Sequence, residues 1–535
     1  MIAGSRTDTG KPILANDPHL SLEAPILWYL ARIVTSQMTV KGATVPGLPI
    51  VLLGQNDHIA WGFTTTGSDV QDLFVETIDP NDASHYLTPD GPAAFDTRTE
   101  VIHVKKKPDV TLTVRTTRHG PIMSDIDSDM AAMAGEGKVM ALSFTGLGAT
   151  DKTSEALMNL NRAISWEDFR GALHDYQAPP QNVVYADTDG NIGFINPGLV
   201  PVRKSGDGLL PADGANGASD WTGYVPFDDL PQLYNPAAGF LFNANNAVVD
   251  GSSPHFFGTD WEEPYRAARL QQFFDSLDRH SLDTTAHMQA DHLSLVAEEF
   301  LPLLASVHSD HPLVTRAVAL LQAWDGTMDK NRAEPLLFEA WLYQIHRLAF
   351  DAAAHDALTE KGPYSATTLL HLLRDHPAMI CVDGNCGGLL TDALQQAVAM
   401  LAARHSGDIA GWRWGHEHQA ILTHKLYSHV PVLNRLSDLS IASSGDFYTL
   451  DRGGSFEFDP DHPFARTHGG GFRGIYDLAD PDRSRFMITT GQSGNILSRH
   501  YGDLVPLWND VKAITLRGSE AELQAEDLPV LTLTP

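Results

Sequence analysis

The first 120 residues carry the hydrophobic pattern of short strands separated by turns. The apolar run at 49–53 lies between a proline and a glycine and predicts a buried strand, and residues 13–15 run into a turn-forming Asn-Asp-Pro triplet. Two β-branched stretches, 101–104 and 110–114, flank a lysine-rich turn and predict a surface hairpin. This part of the chain therefore predicts a β-rich fold.

Helical periodicity follows in two places. Apolar residues recur at helical spacing between about 153 and 177, and through most of 266–405. Between these stretches, 183–187 and 192–195 flank an Asp-Gly-Asn turn and predict a second hairpin. The pattern indicates the α+β class, as one interleaved body with a β-rich part (1–265), a helical insertion (266–405) and a β-rich return (406–535).

Charge and composition exclude several classes of protein. The chain has 535 residues and 37 Lys and Arg against 67 Asp and Glu, which gives a formal net charge of −30. A nucleic-acid-binding protein is excluded because it needs a basic surface. No stretch approaches the roughly 18 consecutive apolar residues of a membrane-spanning helix. The two cysteines, Cys381 and Cys386, either close a small disulfide loop in an oxidising compartment or are free thiols.

Two clusters suggest hydrolytic chemistry on local grounds. His416, His418 and His424 have the composition of a transition-metal site, which would make the protein a metal hydrolase, although a packed core cluster gives the same pattern. The HGGG segment at 468–471 resembles the oxyanion loop of an α/β-hydrolase. That class is excluded because the chain lacks its Gly-x-Ser-x-Gly elbow.

The DVQD segment at 69–72 is a candidate cation site. Two carboxylates, Asp69 and Asp72, and the backbone carbonyl of Gln71 would supply hard oxygen ligands of the kind that Ca²⁺ prefers. An acidic turn that faces solvent is the alternative. The local sequence leaves both interpretations open.

An ordered set of short motifs extends from residue 2 to about 515. The motifs are GKPILANDPHL (10–20), PGLP (46–49), GQN (54–56), IAWGFT (59–64), DVQD (69–72), YAD (185–187), GNIG (190–193), NANN (243–246), YR (265–266), GQSG (491–494) and HY (500–501). Together they resemble the penicillin acylase family of N-terminal-nucleophile hydrolases. The resemblance implies a four-layer αββα sandwich with a helical insertion.

Members of this family are made as a precursor that cuts itself into a smaller α chain and a larger β chain. The β chain then begins with serine, usually in Ser-Asn-x-Trp, and its α-amino group acts as the base when the hydroxyl attacks an amide. Alignment on Asn-x-Pro-His places that serine four positions before Met1. We therefore expect a β chain without Ser-Asn-x-Trp, inactive alone, that self-associates through the apolar surface normally covered by the α chain.

The resemblance also assigns roles to individual residues. His19 matches a histidine that orients the serine amine, and Arg266 matches an arginine close to the active site. The backbone N–H of Thr65 and the side chain of Asn245 match the two halves of the oxyanion hole. Asp477 matches a carboxylate that partners the histidine. The acyl pocket is expected to be lined by Leu20, Leu53, Phe63 and Gln181.

Further expectations concern cofactors and location. Asp69, Gln71 and Asp72 match ligands of a structural Ca²⁺, to which the α chain also contributes, and no organic cofactor is expected. Family members are exported to the periplasm or beyond, which favours the Cys381–Cys386 disulfide. The predicted function is hydrolysis of an N-acyl amide, such as a β-lactam side chain or an acyl-homoserine lactone. The alternative is a non-catalytic scaffold that kept the fold.

Overall fold

The computed structural model describes residues 1–350, 365–455, 459, 461–518, 520–526 and 529–533. In this part of the chain, strands predominate before residue 235, helices predominate from 265 to 404, and short strands and helices follow after 404. The strands are β1 (Ile13–Asn16), β2 (His19–Ser21), β3 (Tyr29–Val34), β4 (Thr39–Thr44), β5 (Leu53–Asn56), β6 (Ile59–Thr65), β7 (Gln71–Asp79), β8 (Asp82–Thr88), β9 (Gly91–Ala94), β10 (Asp96–Ile102), β11 (Val110–Thr117), β12 (Gly120–Pro121), β13 (Lys138–Phe144), β14 (Gln181–Asp187), β15 (Ile192–Ile195), β16 (Pro201–Arg203), β17 (Ala212–Asp213), β18 (Trp221–Tyr224), β19 (Gln232–Tyr234), β20 (Gln419–Leu422), β21 (Leu439–Ala442), β22 (Gly453–Gly454), β23 (His468–Gly470), β24 (Phe472–Asp477), β25 (Arg485–Ile488) and β26 (Ile514–Thr515).

The helices lie between these strands and fill most of the stretch from residue 265 to residue 404. They are α1 (Ser128–Ala134), α2 (Thr153–Leu160), α3 (Trp166–Leu173), α4 (Tyr265–Ser276), α5 (Leu282–Gln289), α6 (Leu295–Phe300), α7 (Pro312–Gln322), α8 (Glu334–Ala349), α9 (Ala366–Asp375), α10 (Gly387–Arg404), α11 (Trp414–Glu417), α12 (Asn434–Ser437), α13 (Val505–Asn509) and α14 (Glu520–Ala525). None of these described helices is long and apolar enough to cross a membrane. The boundaries of the three predicted segments remain a prediction.

Two antiparallel sheets form the centre of the fold. The first has seven strands in the order β19-β15-β14-β6-β5-β4-β3, and the second has four in the order β1-β24-β25-β26. Their facing sides share one hydrophobic cluster, which includes Leu14, Ala60, Val184, Phe472 and Phe486. The sheets therefore pack face to face, as their apolar inner faces require.

Helices cover both outer faces of this sandwich. On the seven-stranded sheet, Leu160 and Phe169 of α2 and α3 pack with Trp61 and Tyr185. On the four-stranded sheet, Leu282 of α5 packs with residues of β1 and β24. The order helix, sheet, sheet, helix is the αββα arrangement, so the predicted α+β fold class is confirmed.

The smaller sheets extend this sandwich. A five-stranded sheet has the order β13-β7-β8-β9 with β17 beside β7, a three-stranded sheet contains β10, β11 and β12, and another contains β2, β23 and β22. Strand β10 pairs with β11 in the predicted surface hairpin. Strands β14 and β15 form the second predicted hairpin.

The apolar run at 49–53 is not the strand that its pattern predicts, because β5 begins only at Leu53. The side chain of Asn161 accepts a hydrogen bond from Val51 N at 2.9 Å and donates to Val51 O at 2.8 Å. This amide satisfies the backbone groups that a neighbouring strand would otherwise bind. Ile50, Val51 and Leu53 are buried as predicted, but residues 49–52 run as a loop.

Cys381 and Cys386 form a disulfide. It lies beside the large hydrophobic core that the helices share, to which Cys381 contributes as a buried residue. Trp341 of α8 occupies the same core, is fully buried, and donates from its indole Nε1 to the carbonyl of Leu390 on α10 at 3.1 Å. The indole thus joins two helices by packing and by a hydrogen bond.

We expect the substitution Trp341→Ala to reduce the free energy of unfolding by about 3–5 kcal/mol, because it leaves a cavity in a close-packed core. The matched control is Met379→Ala, since the Met379 side chain is 73% exposed. Chemical denaturation followed by circular dichroism measures the difference. Equal stability of the two variants would contradict this account of the helical core.

Candidate active site

A cavity of about 140 Å³ opens at the ends of β1 and β6, beside α4 and α5. Its polar lining comes from five separate segments of the chain, and its apolar lining includes Met1, Leu241 and Phe274. The polar residues are Asn16, Asp17, His19, Thr64, Thr65, Asn243, Asn245, Arg266, Thr285 and Gln289. Four of the residues predicted from the sequence, namely His19, Thr65, Asn245 and Arg266, therefore lie around one space.

Asn16 connects the two sheets at this cavity. Its amide donates to Phe63 O at 2.9 Å and accepts from Phe63 N at 3.2 Å, so the end of β1 is bound to β6. The approach is close enough that a Cβ on Gly62 would lie 2.6 Å from Asn16 Cγ. A glycine at position 62 is therefore required for the sheets to meet here.

Asn245 has a left-handed backbone, with φ of 64°, which asparagine tolerates better than most residues. Its backbone N donates to Asn243 Oδ1 at 2.9 Å. Its side-chain Oδ1 accepts from Arg266 Nη2 at 3.0 Å, and its Nδ2 donates to Thr65 O at 2.8 Å. Because arginine can only donate, Arg266 fixes the orientation of the amide and turns Nδ2 toward β6.

Arg266 is itself buried and is held by acidic neighbours. Glu262 Oε2 lies 3.8 Å from Arg266 Nη2, and the same carboxylate accepts from Arg452 at 3.0 and 3.1 Å. Burial, together with the like charge of Arg452, lowers the pKa of Arg266 to about 9. Arg266 stays a cation at neutral pH, in a poorly solvated position.

His19 and Asp17 both line the cavity, and His19 Nε2 lies 3.7 Å from Asp17 Oδ2. Burial is the main reason why the pKa of His19 lies well below its ordinary value, and the charges of Arg266 and Arg452 lower it further. Burial also raises the pKa of Asp17 to about 7. His19 is therefore a neutral imidazole at pH 7, beside a carboxyl group that is partly protonated.

Asp477 is not brought to His19. It lies opposite Ile13 in the β1–β24 ladder, accepts from Ala479 N at 2.9 Å, and has its other oxygen 3.6 Å from Arg483. Asp17 is the carboxyl group beside His19. The Asn-Asp-Pro pattern predicts only a turn at Asp17, yet the position of Asp17 two residues before His19 is the signal that could have identified it.

The predicted acyl-pocket residues lie next to the cavity but do not line it. Leu20, Leu53 and Phe63 belong to the inter-sheet cluster, which Met1 also joins. Gln181 stands opposite Thr65 in the β6–β14 ladder. Asn243 and Gln289 line the cavity without having been predicted, and Asn243 Oδ1 accepts from Thr64 and Asn182 at 3.0 and 3.1 Å.

Asp69 lies in the loop after β6, and Gln71 and Asp72 begin β7; this segment, called the Asp69–Asp72 turn below, does not fit a Ca²⁺ ion in this arrangement. Arg203 donates to both carboxylate oxygens of Asp72, from Nε at 2.9 Å and from Nη2 at 2.7 Å. The same Nη2 lies 3.3 Å from Asp69 Oδ2. A guanidinium thus occupies the space between the carboxylates, and no catalytic step is assigned to a metal.

The three histidines near residue 420 do not converge. His418 is buried, contacts Phe464 O through Nδ1 at 2.7 Å and stacks on Trp414. His424 Nδ1 instead accepts from the backbone of its own turn, at Leu426 N. Within the described residues, no group of three or more His, Cys, Asp or Glu side chains could hold a metal ion. The metal-hydrolase hypothesis therefore has no site in this part of the chain.

The chain is similar to known proteins over almost its whole length. The family model for penicillin amidase matches residues 1–525. The chain belongs to the penicillin amidase family. Members of this family are acylases and amidases, which hydrolyse amides. The family resemblance found in the sequence is therefore confirmed.

Two curated relatives are similar along almost the whole chain. The acyl-homoserine lactone acylase QuiP of Pseudomonas fluorescens (strain Pf0-1) is 30% identical over 95% of this chain and 64% of its own length. The penicillin acylase 2 proenzyme of Pseudomonas sp. (strain SE83) is 27% identical over 100% of this chain and 68% of its own length. The chain thus spans about two thirds of these relatives.

A solved structure shows the same fold. The thermostable penicillin G acylase from Alcaligenes faecalis superposes with a TM-score of 0.78 at 23% identity. The match covers 100% of this chain and 98% of that chain. The sandwich described above is therefore the fold of a solved family member.

The raised pKa of Asp17 predicts a specific pH dependence. Between its ordinary value of 3.8 and about 7, the folded protein holds a proton that the unfolded chain releases, so stability falls as pH rises through this window. We expect the free energy of unfolding to lose about 2 kcal/mol between pH 5 and 7 relative to the isosteric variant Asp17→Asn. Denaturant titrations at several pH values measure this, and parallel curves for the two proteins would contradict it.

Proposed function

We propose that this protein is an N-acyl amidohydrolase whose nucleophile is an N-terminal serine in a segment that precedes Met1. One observation carries the proposal: the Asn245 amide, the end of β6 and His19 surround a cavity that Met1 lines. Residues placed before Met1 in a longer chain would enter this cavity. The nucleophile would then lie between an amide donor and a neutral imidazole.

The proposal assigns the Thr65 N–H and Asn245 Nδ2 to the oxyanion of the tetrahedral intermediate. An amide NH₂ has two protons, and one of those on Asn245 is directed at Thr65 O. The second proton is available for the substrate oxygen. Arg266 supports this role because its hydrogen bond to Oδ1 holds the amide in place and polarises it.

His19 is assigned to the serine amine. A neutral imidazole accepts a hydrogen bond from an amine and so orients that amine. Burial, together with the charges of Arg266 and Arg452, lowers the pKa of His19 and keeps the ring neutral at pH 7. The free amine would then take the proton of the serine hydroxyl as it attacks, and return it to the leaving amine. Asp17 would remain near His19 without forming a fixed salt bridge at neutral pH.

Cleavage of a precursor and pairing with an α chain are part of the proposal. The name of one relative, a proenzyme, supports a precursor. Strand β3 lies at the edge of the seven-stranded sheet, and Gln492 binds the backbone of its Leu30 at 2.9 and 2.8 Å. Tyr29 and Val34, at the two ends of β3, are 43% and 58% exposed and supply apolar surface for a partner chain. The Cys381–Cys386 disulfide supports an oxidising location such as the periplasm.

The substrate is proposed to be an apolar acyl group on a β-lactam amine or a homoserine lactone. The relatives named above support these two amine classes. The apolar character of Leu20, Leu53 and Phe63 beside the cavity supports an apolar acyl group.

The experiment that tests the proposal uses the precursor expressed with its natural upstream segment. Mass spectrometry and N-terminal sequencing are expected to find two chains, the larger beginning with serine. The purified protein is then assayed on chromogenic amides with arylacetyl, glutaryl and long-chain acyl groups. A correctly cut protein that hydrolyses none of them would favour the non-catalytic scaffold instead.

We expect Asn245→Gly to lower kcat by roughly 10²–10³, because it removes an oxyanion donor while glycine tolerates the left-handed backbone. The matched control, Asn81→Ala, alters an exposed turn between β7 and β8 that does not line the cavity. Steady-state kinetics with the best amide measures both. A wild-type kcat in Asn245→Gly would remove Asn245 from the oxyanion hole.

A further inference from the structure

The Asp69–Asp72 turn holds two carboxylates close together and contains a cation of its own. Asp72 is 4% exposed and Arg203 is 3% exposed in their side chains. Three donors reach Asp72: the Nε and Nη2 of Arg203, and the Trp221 indole Nε1, which donates to Oδ2 at 2.6 Å. A carboxylate that is buried in this way is stable because all its charge is met by hydrogen bonds.

The guanidinium also faces the second carboxylate. Arg203 Nη2 lies 3.3 Å from Asp69 Oδ2 and 3.4 Å from Asp69 O, so one nitrogen is close to oxygens of both aspartates. Burial raises the pKa of Asp69, while the charge of Arg203 lowers it. A positive charge at this position offsets the repulsion between the two carboxylates.

The surroundings are shaped to hold this arginine. Arg203 is the last residue of β16, where the register of the β16–β18 pair shifts, and it stands opposite Trp221 of β18. The two side chains are therefore neighbours, and both donate to Asp72. Gly208, with φ of 82°, lies directly against the ion pair of Arg203 and Asp72. A Cβ at position 208 would lie 2.2 Å from Asp72 Oδ1 and 2.5 Å from Arg203 Nε. A side chain at position 208 is incompatible with this arrangement.

We propose that Arg203 is the resident cation of the Asp69–Asp72 turn, so that this protein holds the turn without a divalent metal ion. A Ca²⁺ ion would bind carboxylate oxygens at about 2.3–2.6 Å, but both carboxylate oxygens of Asp72 already accept hydrogen bonds from Arg203, and Asp69 Oδ2 lies 3.3 Å from the same guanidinium. The inference goes beyond the proposed function and does not depend on it. It replaces the calcium ion expected from the family resemblance with a side chain of the protein itself.

The turn matters to the cavity because it follows β6 directly. Thr65 ends β6 and lines the cavity, and Asp69 begins the turn four residues later. Asp69 N donates to Phe257 O at 2.6 Å, which ties the turn to the loop before α4. Arg203 therefore stabilises the segment that follows the predicted oxyanion residue.

The first test measures the wild-type, full-length protein. Elemental analysis is expected to find no stoichiometric Ca²⁺, and the melting temperature is expected to be the same in EGTA and in millimolar Ca²⁺. A stoichiometric Ca²⁺, with a melting temperature that falls in EGTA, would overturn the proposal. Neither readout requires catalytic activity, so failure here is distinct from failure of the proposed function.

The second test uses Arg203→Ala, with Arg170→Ala as the matched control. Arg170 also pairs with one aspartate, Asp228 at 2.7 Å, and lies over a phenylalanine ring, but it is 31% exposed. We expect Arg203→Ala to lower the melting temperature by roughly 3–5 °C more than the control. We also expect Ca²⁺ to recover part of that loss in Arg203→Ala alone.

The melting temperatures of the Arg203 variants can also contradict the proposal. If Arg203→Ala loses no more melting temperature than Arg170→Ala, Arg203 does not hold the turn. If Ca²⁺ does not restore any of the melting temperature of Arg203→Ala, Arg203 does not occupy a cation position. If Arg203→Ala does not fold, Arg203→Lys keeps the charge but loses the planar fork. We expect Arg203→Lys to fold and to lose less melting temperature than Arg203→Ala. The proposal would be overturned if Ca²⁺ fully restored the melting temperature of Arg203→Lys and the wild type also contained stoichiometric Ca²⁺.

Discussion

The cavity depends on one amide that joins the two sheets. Asn16 is 3% exposed and binds both the N–H and the carbonyl of Phe63, which only a side chain with a donor and an acceptor can do. His19 follows Asn16 by three residues, and Thr65 follows Phe63 by two. The distance across the candidate active site is therefore set by a hydrogen-bonded pair at its base, and the packing of the two sheets maintains it.

Buried positive charge is the second constraint on this site. Arg266, Arg452, Arg466 and Arg473 are all nearly inaccessible to solvent, while the chain as a whole is strongly acidic. Asp451 accepts from Arg466 at 3.0 Å and from Arg473 at 2.8 Å, so the cluster is partly neutralised from within. The remaining positive field disfavours a charged imidazole at His19 and favours a negative charge that develops nearby.

The ordered motifs indicate the fold, and four residues of the candidate site lie in or beside those motifs, at strand ends and in loops that the fold brings to one cavity. Asp477 and the run at 49–53 show where such reasoning fails. A strand pattern does not reveal that Asn161, more than a hundred residues away, binds the backbone of Val51. Likewise, the DVQD segment gives no sign of Arg203, which lies 131 residues from Asp72 in sequence. A local pattern does not reveal long-range partners of this kind.

The contact between Asn245 and Thr65 also has a consequence for folding. These two residues are 180 positions apart, and Asn16 and Phe63 are 47 apart. Contacts between such distant segments form late, because the chain must first close long loops. No partly folded intermediate that lacks either sheet can contain the cavity. If the precursor cuts itself within this cavity, the cut would mark completed folding of the sandwich, and misfolded chains would remain uncut.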